Sequence, residues 1–411
     1  MKIVFFTFPY AGHAAPNIPL FQELLKRKVK LIIFGSEIYL KKYLIGDNVV
    51  FEPYPQYITD ACKINTDLSL TPEEAAVAYY SYYYDEDRSR RREYLMADIA
   101  NHFYIDYYEK LKEFNPDSIM YDYNAFFTKK IMSKLKVKCM ELNSNTCEPE
   151  SLIKSKSWKS FISNIVANQV KESSSLDEII TMNRKMHRLY KKILYQYEID
   201  DIEKNYFAYH CPELQNEVEF VNPSNIYLGF NLPKVPNCEK DGSIYVSRGT
   251  MSDTFGVQTL LKTLKSLGNI DAKIIASLGN NKAAQAIINE EVCPDNVKVN
   301  LYTDQLKCLG NASIFVTHGG ITGVRESLMN MTPMVVIPVN FNDYQVGKAL
   351  EKVHAGILIE KYPLDKNEIE EKVNYMMAHV NEYRDGVNYI AEKLRLRWDE
   401  FGVNYLLKEI Y

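Results

Sequence analysis

No unbroken apolar stretch reaches the roughly 18 residues that a membrane-spanning helix needs, so no span is expected. Nor is there a Cys-x-x-Cys pair. The seven cysteines lie far apart and are odd in number, which suggests neither a disulfide framework nor a tetrahedral zinc site and fits a reducing compartment. Positive charge is not in excess: 49 Lys and Arg face 53 Asp and Glu, a net charge of -4 that gives no electrostatic grip on a nucleic-acid backbone. The basic cluster Arg88, Arg90, Arg91 and Arg92 is flanked by Asp85, Glu86, Asp87 and Glu93 and reads as a solvated helix face. Met1-Lys2 runs at once into Ile3 to Phe8, too short for a signal core and without a small-residue cleavage site, so a cytoplasmic location is expected. No repeat of short period is present.

What is present is a globular balance, 46% hydrophobic and 25% charged over 411 residues, enough for two domains of about 200 residues each. The apolar run Ile3 to Phe8, a turn containing Gly12, a helical pattern Leu20, Leu24, Leu25 and a second run Val29 to Phe34 form a strand-helix-strand unit. Such units build parallel sheets whose loops gather at the carboxyl ends of the strands. The pattern resumes with a strand at Ser118 to Tyr121, a helix through Phe126 to Leu135 and a strand near Val137 to Leu142. Two helical stretches interrupt it. One, about 71–114, is crowded with tyrosines (Tyr79, Tyr80, Tyr82, Tyr83, Tyr84, Tyr104, Tyr107, Tyr108); the other, about 151–205, is mostly polar. Insertions at this end of a sheet suit a pocket for a variable ligand, with Tyr79 and Tyr83 as candidates, while each tyrosine can equally pack a helix on the sheet.

A Pro- and Asn-rich stretch from Asn222 through Asn237 reads as a linker, after which the alternation restarts. Strands are expected at Ser243 to Ser247, Ala272 to Ser277, Val297 to Leu301, Ser313 to Thr317 and Met334 to Ile337. A later helix starts at Asp365, three residues before Glu368, as a capping box does. The fold class is therefore α/β with two Rossmann-like domains. The expected division is 1–230, a linker 231–241, a second domain 242–387 and a terminal helix 388–411.

Chemistry concentrates where a strand ends at Thr317-His318-Gly319-Gly320 and a helix begins. Glycines there let backbone N–H groups and the helix amino terminus face an anion, and the histidine adds a donor, which is diphosphate-binding chemistry. Glu326 lies one to two turns into that helix, where a carboxylate can accept both hydroxyls of a ribose. At the other end of the chain His13 follows the first strand and offers a base of near-neutral pKa. Asp122 ends the Ser118 to Tyr121 strand, at the carboxyl edge of the same sheet. Asp106 and Asp117 are further carboxylates nearby.

The segment Ser313 to Leu328 with Thr332-Pro333-Met334 resembles the donor signature of the UDP-glycosyltransferases, the inverting family-1 enzymes of the GT-B fold, nearest their bacterial macrolide branch. Gly12-His13-Ala14-Ala15-Pro16 is similar to the family's Gly-His-x-x-Pro turn, and Ser247-Arg248-Gly249-Thr250 to its Ser-Phe-Gly-Ser/Thr turn. The resemblance implies His13 as the base and Asp122 as its partner. It gives Gly249, Thr250, His318, Gly319 and Gly320 to the diphosphate and Tyr302 and Gln305 to the nucleobase. Glu326 then takes the ribose, and Asp343 and Gln345 the sugar. Departures are Tyr344 inside the family's adjacent Asp-Gln pair, two extra residues between Pro338 and Gln345, Thr322-Gly323 for Asn-Ser, and Lys28 for a glycine.

The function so implied is transfer, with inversion and without cofactor or metal, of a hexose from a UDP-sugar to a hydroxyl of a small, largely apolar acceptor. That acceptor would be a macrolide-like or phenolic natural product, in antibiotic biosynthesis or resistance. UDP is favoured over dTDP because dTDP-sugar enzymes commonly double the histidine, whereas Thr317 precedes His318. A nucleotide-sugar epimerase or hydrolase, or a non-catalytic accessory binding protein, are the alternatives. Oligomeric state is left open.

Overall fold

The computed structural model describes residues 1–62, 74–76, 80, 86–146, 154–166, 176–200, 205–221, 225–233, 239–249, 254–279, 285 and 293–410. Tyr79, Tyr83, Thr250 and much of the expected linker lie outside them. Two wholly parallel sheets organise the described chain. The first has the order β3-β2-β1-β4-β5-β6-β7, and the second the order β10-β9-β8-β11-β12-β13.

In the first sheet the strands are β1 (Lys2–Phe6), β2 (Lys30–Phe34), β3 (Val49–Glu52), β4 (Ser118–Asp122), β5 (Lys138–Asn143), β6 (Asn205–Ala208) and β7 (Ile226–Tyr227). β1 shows why its sequence is a continuous apolar run rather than an alternation. Ile3 and Phe5 bury on one face beneath Leu20, Phe21 and Leu24 of the helix Ile18–Lys26. Val4 and Phe6 bury on the other against Phe103 and Ile131, so both faces are covered, as parallel sheets require. Phe103 lies on the helix Glu86–Phe114, whose Tyr107 stacks on it at 4.8 Å between ring centroids. The Arg cluster pairs with its acidic neighbours on this helix, Arg90 with Glu86 and Arg92 with Glu93. Lys28, standing where the resemblance has glycine, takes a left-handed φ of 59°.

The second sheet comprises β8 (Ile244–Ser247), β9 (Ile274–Ser277), β10 (Val297–Asn300), β11 (Ile314–Thr317), β12 (Met334–Val336) and β13 (Gly356–Leu358). Asp365 does cap the helix Lys366–Ala378, its side chain accepting from the Asn367 amide at 2.9 Å.

The two halves interlock. Residues of the first insertion and of the helix Lys156–Phe161 bury in one core with the second sheet, among them Ala75, Tyr80, Trp158 and Phe161. Tyr80 donates to the Val339 carbonyl at 2.9 Å. The tyrosine-rich insertion therefore packs, at Tyr80, on the opposite half and not on its own sheet. Where one terminal helix was expected there are two, Val380–Phe401 and Val403–Ile410, divided at Gly402. The first buries Val387, Ile390 and Leu394 in the second half's core, and the last buries Leu406 and Leu407 beside Leu20 and Leu24.

Candidate active site

In an open parallel sheet, ligands collect where the strand order reverses, because the loops on either side diverge there and leave a crevice. Each sheet has one such point. In the first it lies between β1 and β4, paired through Phe6 and Tyr121. In the second it lies between β8 and β11, paired through Ser247 and Thr317.

At the first point His13 and Asp122 meet. Nδ1 of His13 lies 2.9 Å from Oδ2 of Asp122, and since a carboxylate can only accept, Nδ1 carries the hydrogen and Nε2 is left as the free lone pair. The other carboxylate oxygen, Oδ1, accepts from the Asn124 amide at 2.9 Å. Asp122 is 1% exposed and His13 16%, so the carboxylate is fixed while the imidazole keeps a face for a reactant. Phe8 and Tyr123 flank the imidazole at 5.2 and 6.1 Å between centroids. Asp106 and Asp117 are engaged elsewhere, with Tyr57 and with the Lys2 amide.

At the second point the turn 317–320 enters the helix Ile321–Met329. Gly319 has a φ of +100°, and a Cβ there would lie 2.8 Å from Val336 Cγ1, so no other residue fits without displacement. A Cβ on Gly320 would overlap the His318 ring. Gly320 caps the helix without a side-chain bond, leaving the first helical amides free. His318 is held neutral: burial, and then the neighbouring Arg248 guanidinium, lower its pKa to about 3. Its Nδ1 is buried without a partner.

Glu326 and Gln305 are hydrogen-bonded to each other, and Tyr245 donates to Gln305 Oε1 at 3.3 Å. Burial raises the Glu326 carboxyl, and the Gln305 bond partly offsets this. Tyr302 is 66% exposed, an open ring face beside them. Asp343 comes to the turn, its backbone carbonyl 3.1 Å from where a Gly319 Cβ would stand. Gln345, two residues further along the helix Phe341–Lys352, is wholly buried with neither amide atom partnered. Asn342, not singled out in the sequence, faces the first half instead and accepts from Thr146 Oγ1 at 2.6 Å.

The two points are joined. Thr322 Oγ1, in the first turn of the helix Ile321–Met329, lies 3.4 Å from the Gly12 carbonyl, the residue before His13. Three residues on, Arg325 plugs into the first half. Its Nη2 donates to the carbonyls of Ser144 at 3.1 Å and Tyr209 at 2.6 Å, and the guanidinium sits 4.4 Å from the Phe230 ring centroid. Sequence reasoning gave no role to Arg325, Arg248 or Tyr80, although Arg248 stands where the resembling turn has a phenylalanine. Among the described residues no helix is long and apolar enough to cross a membrane, and no cluster of three or more His, Cys, Asp or Glu could hold a metal.

Residues 244–389 match the glycosyltransferase family 28 C-terminal domain. Over its length the chain is 24% identical to the uncharacterized UDP-glucosyltransferase YojK of Bacillus subtilis (strain 168), covering 96% of this chain and 93% of that one. Among solved structures, the glycotransferase of kitacinnamycin aligns over 100% of this chain and 99% of its own with a TM-score of 0.71 at 14% identity. The spinosyn rhamnosyltransferase SpnG complexed with spinosyn aglycone aligns over 99% and 100% with a TM-score of 0.66 at 11% identity. With the two reversal points joined at one seam, the chain has the two-domain GT-B fold of these solved structures, and its residues 244–389 match a glycosyltransferase C-terminal domain.

Proposed function

We propose that the protein transfers a hexose from a UDP-sugar, with inversion, to a hydroxyl of a small, largely apolar acceptor. The observation that carries this reading is the His13–Asp122 pair lying one residue from the contact between Gly12 and Thr322, at the start of the anion-facing helix. The acceptor occupies the first domain, 1–230, and the donor the second, 242–387, with 231–241 between them and 388–411 returning to the first.

The chemistry follows from the free lone pair on His13. Nε2 takes the proton of the acceptor hydroxyl as its oxygen bonds to the anomeric carbon, and the bond from that carbon to the UDP oxygen breaks on the opposite face. Asp122 offsets the charge on the imidazolium and holds the ring in one tautomer. Negative charge gathering on the diphosphate meets the uncapped amides at 321–323 and His318. Gly249 flanks it, Glu326 takes the ribose, Tyr302 and Gln305 the base, and Asp343 and Gln345 the sugar. The uracil reading rests on the UDP-glucosyltransferase relative and on the single histidine of the turn. Phe8 and Tyr123 beside His13 suit an apolar acceptor, and the small-molecule names carried by the structural relatives are consistent with one.

Mixing the protein with a panel of UDP-sugars and an acceptor library, and reading UDP release and product mass, tests the proposal. A glycoside with inverted configuration is expected. UDP release without a glycoside would make the protein a hydrolase, and no release with any donor would end the catalytic reading.

A further inference from the structure

Arg248, at the second reversal point, carries a charge that the reaction above leaves unused. Register places it beside His318: Ser247 pairs with Thr317, and each of the two is the next residue beyond its strand's paired end. It is 6% exposed, and its Nε and Nη2 are buried without a partner. Among the described residues no carboxylate pairs with it. A guanidinium keeps its charge at any working pH, so burying it unpaired destabilises the ligand-free protein unless something else is to complete the site. The same turn holds an unpartnered ring nitrogen, Nδ1 of His318, and the amides of a helix whose cap residue, Gly320, gives no side-chain bond. Asp343 backs the turn, but its carboxylate accepts from the Val339 amide at 3.4 Å.

A permanent cation, a neutral imidazole and an uncapped helix start, all unmet, call for a multiply charged anion with several acceptor oxygens. A diphosphate has that form. The resembling Ser-Phe-Gly-Ser/Thr turn offers a phenylalanine where this chain has Arg248, so the charge is a property of this sequence and not of the turn.

Resting on the donor site proposed above, we infer that Arg248 is a ligand of the donor's diphosphate, holding it in the ground state and offsetting its charge as it leaves. The guanidinium needs no proton change to do so, and burial first, with Arg248 adding to it, keeps His318 from being a second cation.

The test is calorimetric titration of the wild-type chain, Arg248→Leu and Arg248→Lys with UDP, uridine and inorganic pyrophosphate, alongside melting curves without ligand. Arg248→Leu is expected to weaken UDP and pyrophosphate about ten- to hundredfold and leave uridine unchanged, with Arg248→Lys in between. Its ligand-free melting temperature should stay level or rise, since an unpaired buried charge is removed, whereas a structural arginine would lower it. Equal UDP and pyrophosphate affinities in wild type and Arg248→Leu would overturn the inference, as would a parallel loss for uridine. Should wild type bind pyrophosphate through Arg248 but not UDP, the nucleotide reading falls and Arg248 stands. Binding of neither removes both.

Discussion

The two strand-order reversals occupy equivalent places in equivalent sheets, yet their polar groups are left in opposite conditions. Between β1 and β4 the charged group is satisfied: Asp122 bonds both His13 and the Asn124 amide. Between β8 and β11 donors are left open, on Arg248, on His318 and on the first helical amides. A base must hold one tautomer before its reactant arrives, so its partner belongs to the protein. A site for an anion must keep its donors free, and the protein accepts some loss of ligand-free stability in consequence.

The sharpest way to break this contrast is to remove the base. His13→Ala is expected to cut turnover on an alcohol acceptor by about two to four powers of ten, leaving UDP affinity nearly unchanged because the proposed donor site lies on the other domain. Steady-state rates beside UDP titration check both halves. A phenol, whose hydroxyl is more acidic, should suffer least. Asp122→Asn should lose somewhat less than His13→Ala, since it keeps the shape but favours the wrong tautomer, and the double variant should be little worse than the single ones. Full activity of His13→Ala on an alcohol would move the deprotonation to another residue.

On the other side, His318→Ala and Glu326→Ala should weaken UDP about ten- to hundredfold by calorimetry. Product formation at saturating donor should fall far less in Glu326→Ala than in His13→Ala. If both donor-side variants bind UDP as wild type does, the open donors serve something else.

The smallest effect concerns the seam. His210 is wholly buried, its Nδ1 donates to the Cys211 carbonyl at 3.1 Å, and burial lowers its pKa from 6.5 to about 4. Between those values the unfolded chain binds more protons than the folded one, so stability is full above pH 6.5 and declines as pH falls toward 4. The slope from this residue is at most about 1.4 kcal/mol per pH unit. Denaturant melts of His210→Phe should show a flatter decline over that window, and an unchanged slope would assign the acid sensitivity elsewhere.

The inner strands were legible because sheets covered on both faces demand unbroken apolar runs, as Ile3 to Phe6 and Ile314 to Val316 show. The strands that left no signal were β3, β6, β7 and β13. Three of them lie at sheet edges, and all four are four residues or shorter. His13 and Asp122 could be paired on paper because strand ends of one parallel sheet share an edge. Arg248, Arg325 and Tyr80 act across 70 to 260 residues or across a strand register, and no local pattern encodes such a meeting.

Arg325 is recognised by the carbonyl oxygens of Ser144 and Tyr209, not by their side chains. Every residue type offers a carbonyl, so the first half is free to change its amino acids at those positions without losing this clasp, provided its chain keeps the same path. A chimera that grafts the first half of a relative with the same backbone course onto residues 242–410 therefore keeps this clasp, whereas the side-chain contacts through Phe230, Tyr80, Trp158 and Phe161 have to be matched anew.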